Sequence, residues 1–449
     1  MEVDLSFFAS PLAHQEAVEA SEAWVRGEIG DLVAGGMTRL AAAGVPCRAA
    51  GGVAGRAGRE AARVPLAVVL TGGTEDKILA WLGDQTCPAL LLALPHSNSL
   101  PAAMEVLARL GQLGRAGRII VAGRGDWRGD LAAAFGQAAL AAFLRTARIG
   151  LLGGPSSWLA ASSPDPTVVR RAWGPEVVTL PLSDVAARYR AGDARGGAGD
   201  ARGGTVAAGG EAGDPGGETA DLLRRAAGLV EPGEATLDGA GRLYRILRDI
   251  VEANRLDALT VRCFDLLGDI GNTGCLALSR LNDEGLVAAC EGDLPATLTM
   301  MVLSGLTGRA CFMANPSDLD VKAGTATFAH CSVPLSLVRS FRLRSHFESG
   351  LGAAIEGHFA PGVMTVARIG GENLSRFTVF TGTVVPEESA PFREDLCRTQ
   401  VTLKVGEAMV RELLRRPLGN HHVLVPGDHV RAFLDFGSLP RPDEARSGE

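Results

Sequence analysis

Four short segments in the C-terminal part of the chain concentrate groups that can bind a metal or move a proton. They are Cys290-Glu291-Gly292-Asp293, Phe312-Met313-Ala314-Asn315-Pro316, Phe328-Ala329-His330-Cys331 and Gly419-Asn420-His421-His422-Val423-Leu424-Val425. Each sets an acid, an amide or an imidazole beside an apolar run. Such runs form strands, and ligands of open α/β sheets bind where strands end. Together the segments describe a carboxylate–imidazole metal site assembled from remote parts of one chain.

Each residue also has a plainer reading. Glu291 follows an expected strand, Leu286–Cys290, and stands where a carboxylate can ligate a metal or take a proton. Asp293 stands at a helix N-cap, with Pro295 in the first turn, and capping is its expected role. Asn315 and Asp318 follow the apolar Cys311-Phe312-Met313, and taken alone they read as turn residues. His330 ends the alternating run Thr325–Ala329, where a lone imidazole is more often structural than a ligand. His421 and His422 are adjacent on an entering strand, so they point to opposite faces. One can face a site while the other packs or orients it. His346 and Glu348 share a face if their segment is extended, with a surface ion pair as the competing account.

The elements that must position these groups show in the periodicity. Val64–Leu70, Ala89–Leu94, Arg118–Ala122, Arg148–Leu152, Val177–Leu180, Leu256–Phe264 and Leu286–Cys290 read as short buried strands. Helical patterns stand between most of them. That alternation predicts parallel, doubly wound sheets. After about Ala323 the pattern becomes β-branched alternation, as in Val363–Ile369 and Phe377–Val384, with one helix expected from Arg398 to Leu414. The expected fold is α/β: two doubly wound domains followed by an antiparallel, β-rich C-terminal domain with one or more helices. The expected bounds are 1–147, 148–320 and 321–439, with a frayed tail at 440–449. A Gly/Ala/Asp/Arg-rich stretch from about 191 to 221 lacks large apolar residues and reads as a flexible insertion.

Composition excludes several classes. A length of 449 residues calls for two or three domains. The net charge of −7 carries no basic stripe and argues against nucleic acid. None of the eight cysteines forms a Cys-x-x-Cys pair, which removes the common structural-zinc and thioredoxin patterns. The acidic start Met1-Glu2-Val3-Asp4 is unlike a secretory leader, so the expected compartment is the cytoplasm. No apolar run reaches the ~20 residues of a membrane span. The Gly-rich turns at 71–74, 123–129 and 153–157 match neither G-x-G-x-x-G nor a Walker loop. No G-x-S-x-G elbow is present.

Taken in order, the four segments resemble the L-fucose isomerase family and, more distantly, the L-arabinose isomerases. The resemblance spans about Arg148 to Gly437 and is strongest from Ala288 on. Pro95-His96-Ser97-Asn98-Ser99-Leu100-Pro101 adds to it. It implies a metal-dependent aldose–ketose isomerase using Mn²⁺, acting on a sugar or modified sugar through a cis-enediol, and assembling as a homo-oligomer, trimer or hexamer. By position, Glu291 matches the glutamate that binds metal and exchanges a proton. His422 matches the ligand histidine, and His330 a ligand of the arabinose branch. Where the L-fucose isomerases carry a ligand aspartate, this chain has Asn315. An amide oxygen can still ligate, but it cannot act as a base near neutral pH.

The resemblance therefore implies Glu291, Asn315 and His422 as ligands. Glu291, Asn315 and His330 are the expected catalytic residues, with His346, Glu348, His421 and Asp318 supporting them or touching substrate. Asp318, Asp320, His330, His346 or Glu348 could handle the second proton. The alternatives are a metal-assisted epimerase of a polyol or sugar acid, or a sugar-binding homologue without turnover. Arg124, Trp127, Trp158 and Arg344 are candidates for sugar contacts by their chemistry alone.

Overall fold

The computed structural model describes residues 2–34, 63–196, 222–229 and 231–439. The chain is a mixed α/β protein with two four-stranded parallel sheets flanked by helices and an antiparallel barrel toward its C-terminus. The first sheet runs in sequence order: Glu2–Phe8, Arg63–Val69, Ala89–Ala93 and Gly117–Val121. Its inner strands Arg63–Val69 and Ala89–Ala93 carry continuous apolar runs because both their faces are covered. Leu66, Val68, Leu90 and Leu92 pack on one face with Leu131 and Phe135. Ala67, Val69, Leu91 and Ala93 pack on the other with Ile78, Ala103 and Val106. The edge strand Glu2–Phe8 carries no apolar run of its own. It is recruited by parallel pairing to Arg63–Val69.

The second sheet is ordered Glu176–Leu180, Arg148–Leu152, Ala258–Val261, Val287–Cys290. All its pairs are parallel. Its last strand leads into Leu294–Thr307, a helix buried on nearly every side. A helix that is apolar all round must lie inside the molecule. This one packs on the strands Val287–Cys290, Val363–Gly370 and His422–Pro426, and so joins the sheet to the barrel. Its buried Thr297, Thr299 and Thr307 hydroxyls donate to the carbonyls of Asp293, Pro295 and Leu303 at 2.6–2.7 Å, which removes the cost of burying them unpaired.

The expected antiparallel module closes on itself. Phe312–Asp320, Thr325–His330, Thr399–Lys404, Arg376–Val384, Val363–Gly370 and His422–Pro426 form a six-stranded barrel, the last pairing back to the first. Closure leaves no open edge. Phe312, Phe328, Val366, Val401 and Leu424 belong to the apolar cluster of this region. Ala354–His358, Ser340–Arg344 and Gly228–Leu229 make a separate small sheet.

Several expectations are corrected. The helix expected from Arg398 to Leu414 begins only at Glu407 and ends at Arg415, because Thr399–Lys404 is drawn into the barrel between two strands. Phe312–Asp320 is a single strand with a register shift between Pro316 and Asp318, so Asn315 lies within a strand rather than a turn. That strand is part of the barrel. The strand expected over Leu256–Phe264 ends at Val261, and a helix starts at Cys263. Of the expected insertion, residues 191–196 complete the helix Leu182–Gly196. The remainder, 197–221, and the tail 440–449 lie outside the described residues.

Candidate metal centre

The carboxyl ends of three neighbouring parallel strands deliver the first groups. Arg148–Leu152 leads to Trp158, Ala258–Val261 to Phe264, and Val287–Cys290 to Glu291. Between Cys290 and the cap at Asp293 the chain reverses in two residues. Glu291 has φ 63° and Gly292 φ 73°, and the Asp293 amide donates to the Cys290 carbonyl at 3.3 Å. These are the φ signs of a type I′ turn, which asks for two left-handed residues. Gly292 meets the second requirement, for a Cβ there would strike Gly154 O and lie 2.6 Å from Pro155 Cα. Glu291 meets the first despite its side chain. Its carbonyl is tied down by the Ser156 amide at 2.8 Å.

Two imidazoles from the barrel complete the group. His330 is the last residue of Thr325–His330, and His421 immediately precedes His422–Pro426. One donor atom each from Glu291, His330 and His421 lies within 4.8 Å of the others, and all three residues are buried. His421 Nε2 is 3.3 Å and His330 Nε2 3.9 Å from Glu291 Oε1. Neither contact is an aligned hydrogen bond, and His421 Nε2 is a buried atom without a hydrogen-bond partner. Buried polar atoms are rarely left so. The other Glu291 oxygen, Oε2, accepts from the Trp158 indole Nε1 at 2.7 Å. His330 Nδ1 pairs with Ser332 Oγ at 3.1 Å.

Behind His421 stands a buried charge pair. Asp293 Oδ1 accepts from the Ala296 amide at 2.8 Å and caps the helix, while Oδ2 lies 2.9 Å from His421 Nδ1. Arg368, with no exposed surface, reaches the same Oδ2 at 3.4 Å and donates to Ser162 Oγ at 2.6 Å and to the Leu418 carbonyl at 3.1 Å. It also donates to the His421 carbonyl. Burial opposes charge on His421, but Asp293 and Glu291 outweigh it and lift the imidazole to about 9. Burial likewise opposes charge on Glu291, yet the two imidazoles hold its carboxyl well below the usual carboxylate range. Asp293 is lowered too, against its burial, chiefly by Arg368 and His421. His422 goes the other way: burial, then the Arg368 charge, push it down to about 4.

The remaining sequence candidates fall in distinct places. His422 is buried beside Phe328, with Nδ1 at the Asn420 carbonyl and Nε2 without a partner. It is His421, expected as the supporting member of the pair, that faces Glu291. Asn315 keeps its side-chain oxygen buried and without a partner. Asp318 is exposed and bound to Arg393 at 2.9 Å, and Asp320 accepts from the Ala323 amide at 2.8 Å. His346 is buried, its Nδ1 paired with Ser349 Oγ at 3.1 Å. Its segment is a turn rather than a strand, which leaves Glu348 exposed. Arg344 is committed to Glu231, Glu356 and Glu394, and Trp127 is a core residue against Trp24. Arg124 is exposed.

Sequence reasoning passed over Arg368 and the Trp158 contact. Arg368 had a signal: a cation inside the apolar run Val366–Ile369 needs a buried anion. The Trp158–Glu291 contact, 133 positions apart, had none.

The fold and the cluster define an α/β protein with a buried carboxylate–imidazole centre between a parallel sheet and an antiparallel barrel. Three curated proteins of similar sequence are each named sulfoquinovose isomerase. The one from Alkalicoccus urumqiensis is 27% identical over 46% of this chain and 48% of its own. That from Clostridium sp. (strain MSTE9) is 29% identical over 48% and 49%. That from Priestia aryabhattai is 24% identical over 42% and 44%. The chain spans about half the length of the curated relatives it matches. No family profile matches it. Among the described residues, no helix is long and apolar enough to cross a membrane.

Proposed function

We propose that the protein is a divalent-metal-dependent aldose–ketose isomerase of a modified sugar, with Mn²⁺ as the metal. The carrying observation is the buried convergence of Glu291, His330 and His421, with His421 Nε2 aimed at the carboxylate and lacking a partner. One carboxylate with two imidazoles is a donor set that fits Mn²⁺, Fe²⁺, Co²⁺ or Zn²⁺ better than Ca²⁺. Asn315 and His422 each keep an orphan buried atom that fits a further ligand or a substrate hydroxyl. The names of the similar proteins support sulfoquinovose, a sulfonated hexose, as the first substrate to test.

In this reading Glu291 is the base. Its carboxylate, kept ionised by the imidazoles, takes the proton from C2 of the open-chain aldose and returns it at C1. The resulting cis-enediolate carries charge on two vicinal oxygens, and a bound divalent ion would supply the positive charge that stabilises them. Asp293 fixes the His421 ring through Nδ1 and leaves Nε2 facing the site. His330, held by Ser332 through Nδ1, keeps Nε2 on the Glu291 side as the second imidazole donor. An amide at 315 leaves Glu291 as the sole carboxylate of the group. We also propose a homo-oligomer, to be read by light scattering.

The test is NMR in D₂O on a panel of aldoses that includes sulfoquinovose, with metal-stripped protein and with added Mn²⁺. Metal-dependent loss of the C2 proton signal with ketose appearing is the expected result. Glu291→Gln should abolish it. No exchange on any sugar despite metal binding would move the reading to a binding homologue.

A further inference from the structure

Trp158 both bonds to Glu291 and is open to solvent. It is 51% exposed, whereas Glu291 is 7% exposed. The indole therefore presents apolar ring area to solvent directly beside the buried carboxylate. The ring is nonetheless fixed. Its edge-to-face contact with Phe264 is 5.1 Å between centroids, and Phe264 stands edge-to-face on His346 at 5.3 Å. Phe264 and Trp158 leave adjacent parallel strands, so the sheet itself sets their spacing.

The polar edge of the indole meets the carboxylate. Nε1 donates to Glu291 Oε2 at 2.7 Å, while Oε1 is the oxygen that faces both imidazoles. An indole N–H can only donate, so it cannot exchange roles or protons with the carboxylate. A charge-assisted bond of this length also selects one rotamer of a side chain with three free torsions. The division of labour between the two oxygens is thus imposed from outside the cluster.

We propose that Trp158 is a positioning residue for Glu291, and that its exposed face is the apolar wall against which the sugar ring lies. The proposal rests on the isomerase reading for its sugar and its turnover, but not for the indole–carboxylate bond. The bond fixes Glu291 so that Oε1 stays with the imidazoles and Oε2 is held at the substrate side. The exposed face offers flat aromatic area to the C–H face of a pyranose or open-chain sugar, as aromatic pocket walls do.

The experiment uses the full chain with Trp158→Phe, which keeps a ring but loses the donor, and Trp158→Ala, which loses both. Trp158→Phe should lower kcat about tenfold or more with KM within about threefold. Trp158→Ala should lower kcat similarly and raise KM as well. A kcat for Trp158→Phe within about twofold of wild type overturns the positioning role, and an unchanged KM for Trp158→Ala overturns the wall. A second readout needs no substrate. The fluorescence difference between wild type and Trp158→Phe isolates the emission of Trp158, and Glu291→Gln should shift it. No shift overturns the proposal outright. A shift in a protein that turns over no sugar sinks the isomerase reading and the sugar wall while leaving the indole–carboxylate bond established.

Discussion

Asp293 Oδ2 and His421 Nδ1 lie 2.9 Å apart, and neither side chain has any exposed surface. One residue caps the helix that joins sheet to barrel, and the other immediately precedes the strand that closes the barrel. The contact therefore binds the two layers at the point where the candidate centre sits.

This pair makes stability depend on pH in the metal-free protein. His421 titrates near 9 when folded, above its ordinary value of 6.5. A raised folded value means that the contribution of the charged ring is complete below about pH 6.5 and is lost as pH climbs through 9. The melting temperature of metal-stripped protein is expected to fall across that window. Asp293→Asn should flatten the fall, and a flat wild-type profile would contradict a charged His421. Metal must displace the same proton, so calorimetry at pH 7.5 in buffers of different ionisation enthalpy should detect about one proton released per ion.

Arg368 is the second member of the buried charge group. Replacing it with methionine keeps much of the volume but leaves the Asp293 carboxylate with less compensation, at a cost of roughly 3–5 kcal/mol. Urea unfolding should show the midpoint falling with little change in slope. A loss below about 1 kcal/mol would mean that His421 alone satisfies Asp293.

Gly292→Ala tests the turn that presents Glu291. The new methyl meets the backbone of Gly154 and Pro155, at a left-handed position. The left-handed penalty alone is about 1–2 kcal/mol, and the clash adds to it. Metal affinity is expected to weaken along with stability, because the Glu291 carboxylate moves with the turn.

Asn315 tests how far the proposed ligand set extends. Asn315→Asp puts a second anion where a buried amide oxygen now lacks a partner. If that oxygen belongs to the centre, Mn²⁺ affinity should rise about tenfold or more, and Asn315→Ala should reduce it. Equal affinities in all three proteins, measured by calorimetry, would remove Asn315 from the ligand set.

Much of the sheet architecture was legible because buried parallel strands are short, continuous apolar runs. Arg148–Leu152 was read with its bounds, and Ala89–Leu94 to within one residue. The edge strand Glu2–Phe8 escaped because its pairing is supplied by a neighbour rather than by its own pattern. Thr399–Lys404 was mistaken for helix because local periodicity ran on into the true helix at Glu407, and only barrel closure decides between them. At the candidate site, Glu291 and His330 were visible as strand-end groups. Which of two adjacent histidines faces the carboxylate was not, since that depends on where the barrel strand begins.

The left-handed backbone at Glu291 has a consequence for protein engineering. Glycine, asparagine or aspartate would hold that conformation more easily, by about 1 kcal/mol. Aspartate would even keep the charge. None is one methylene long enough to reach His421 Nε2 and the Trp158 indole together as glutamate does. Position 291 thus ranks reach above conformational ease. A campaign that ranked variants by heat tolerance alone would be drawn toward replacing this residue, and would trade away the chemistry first.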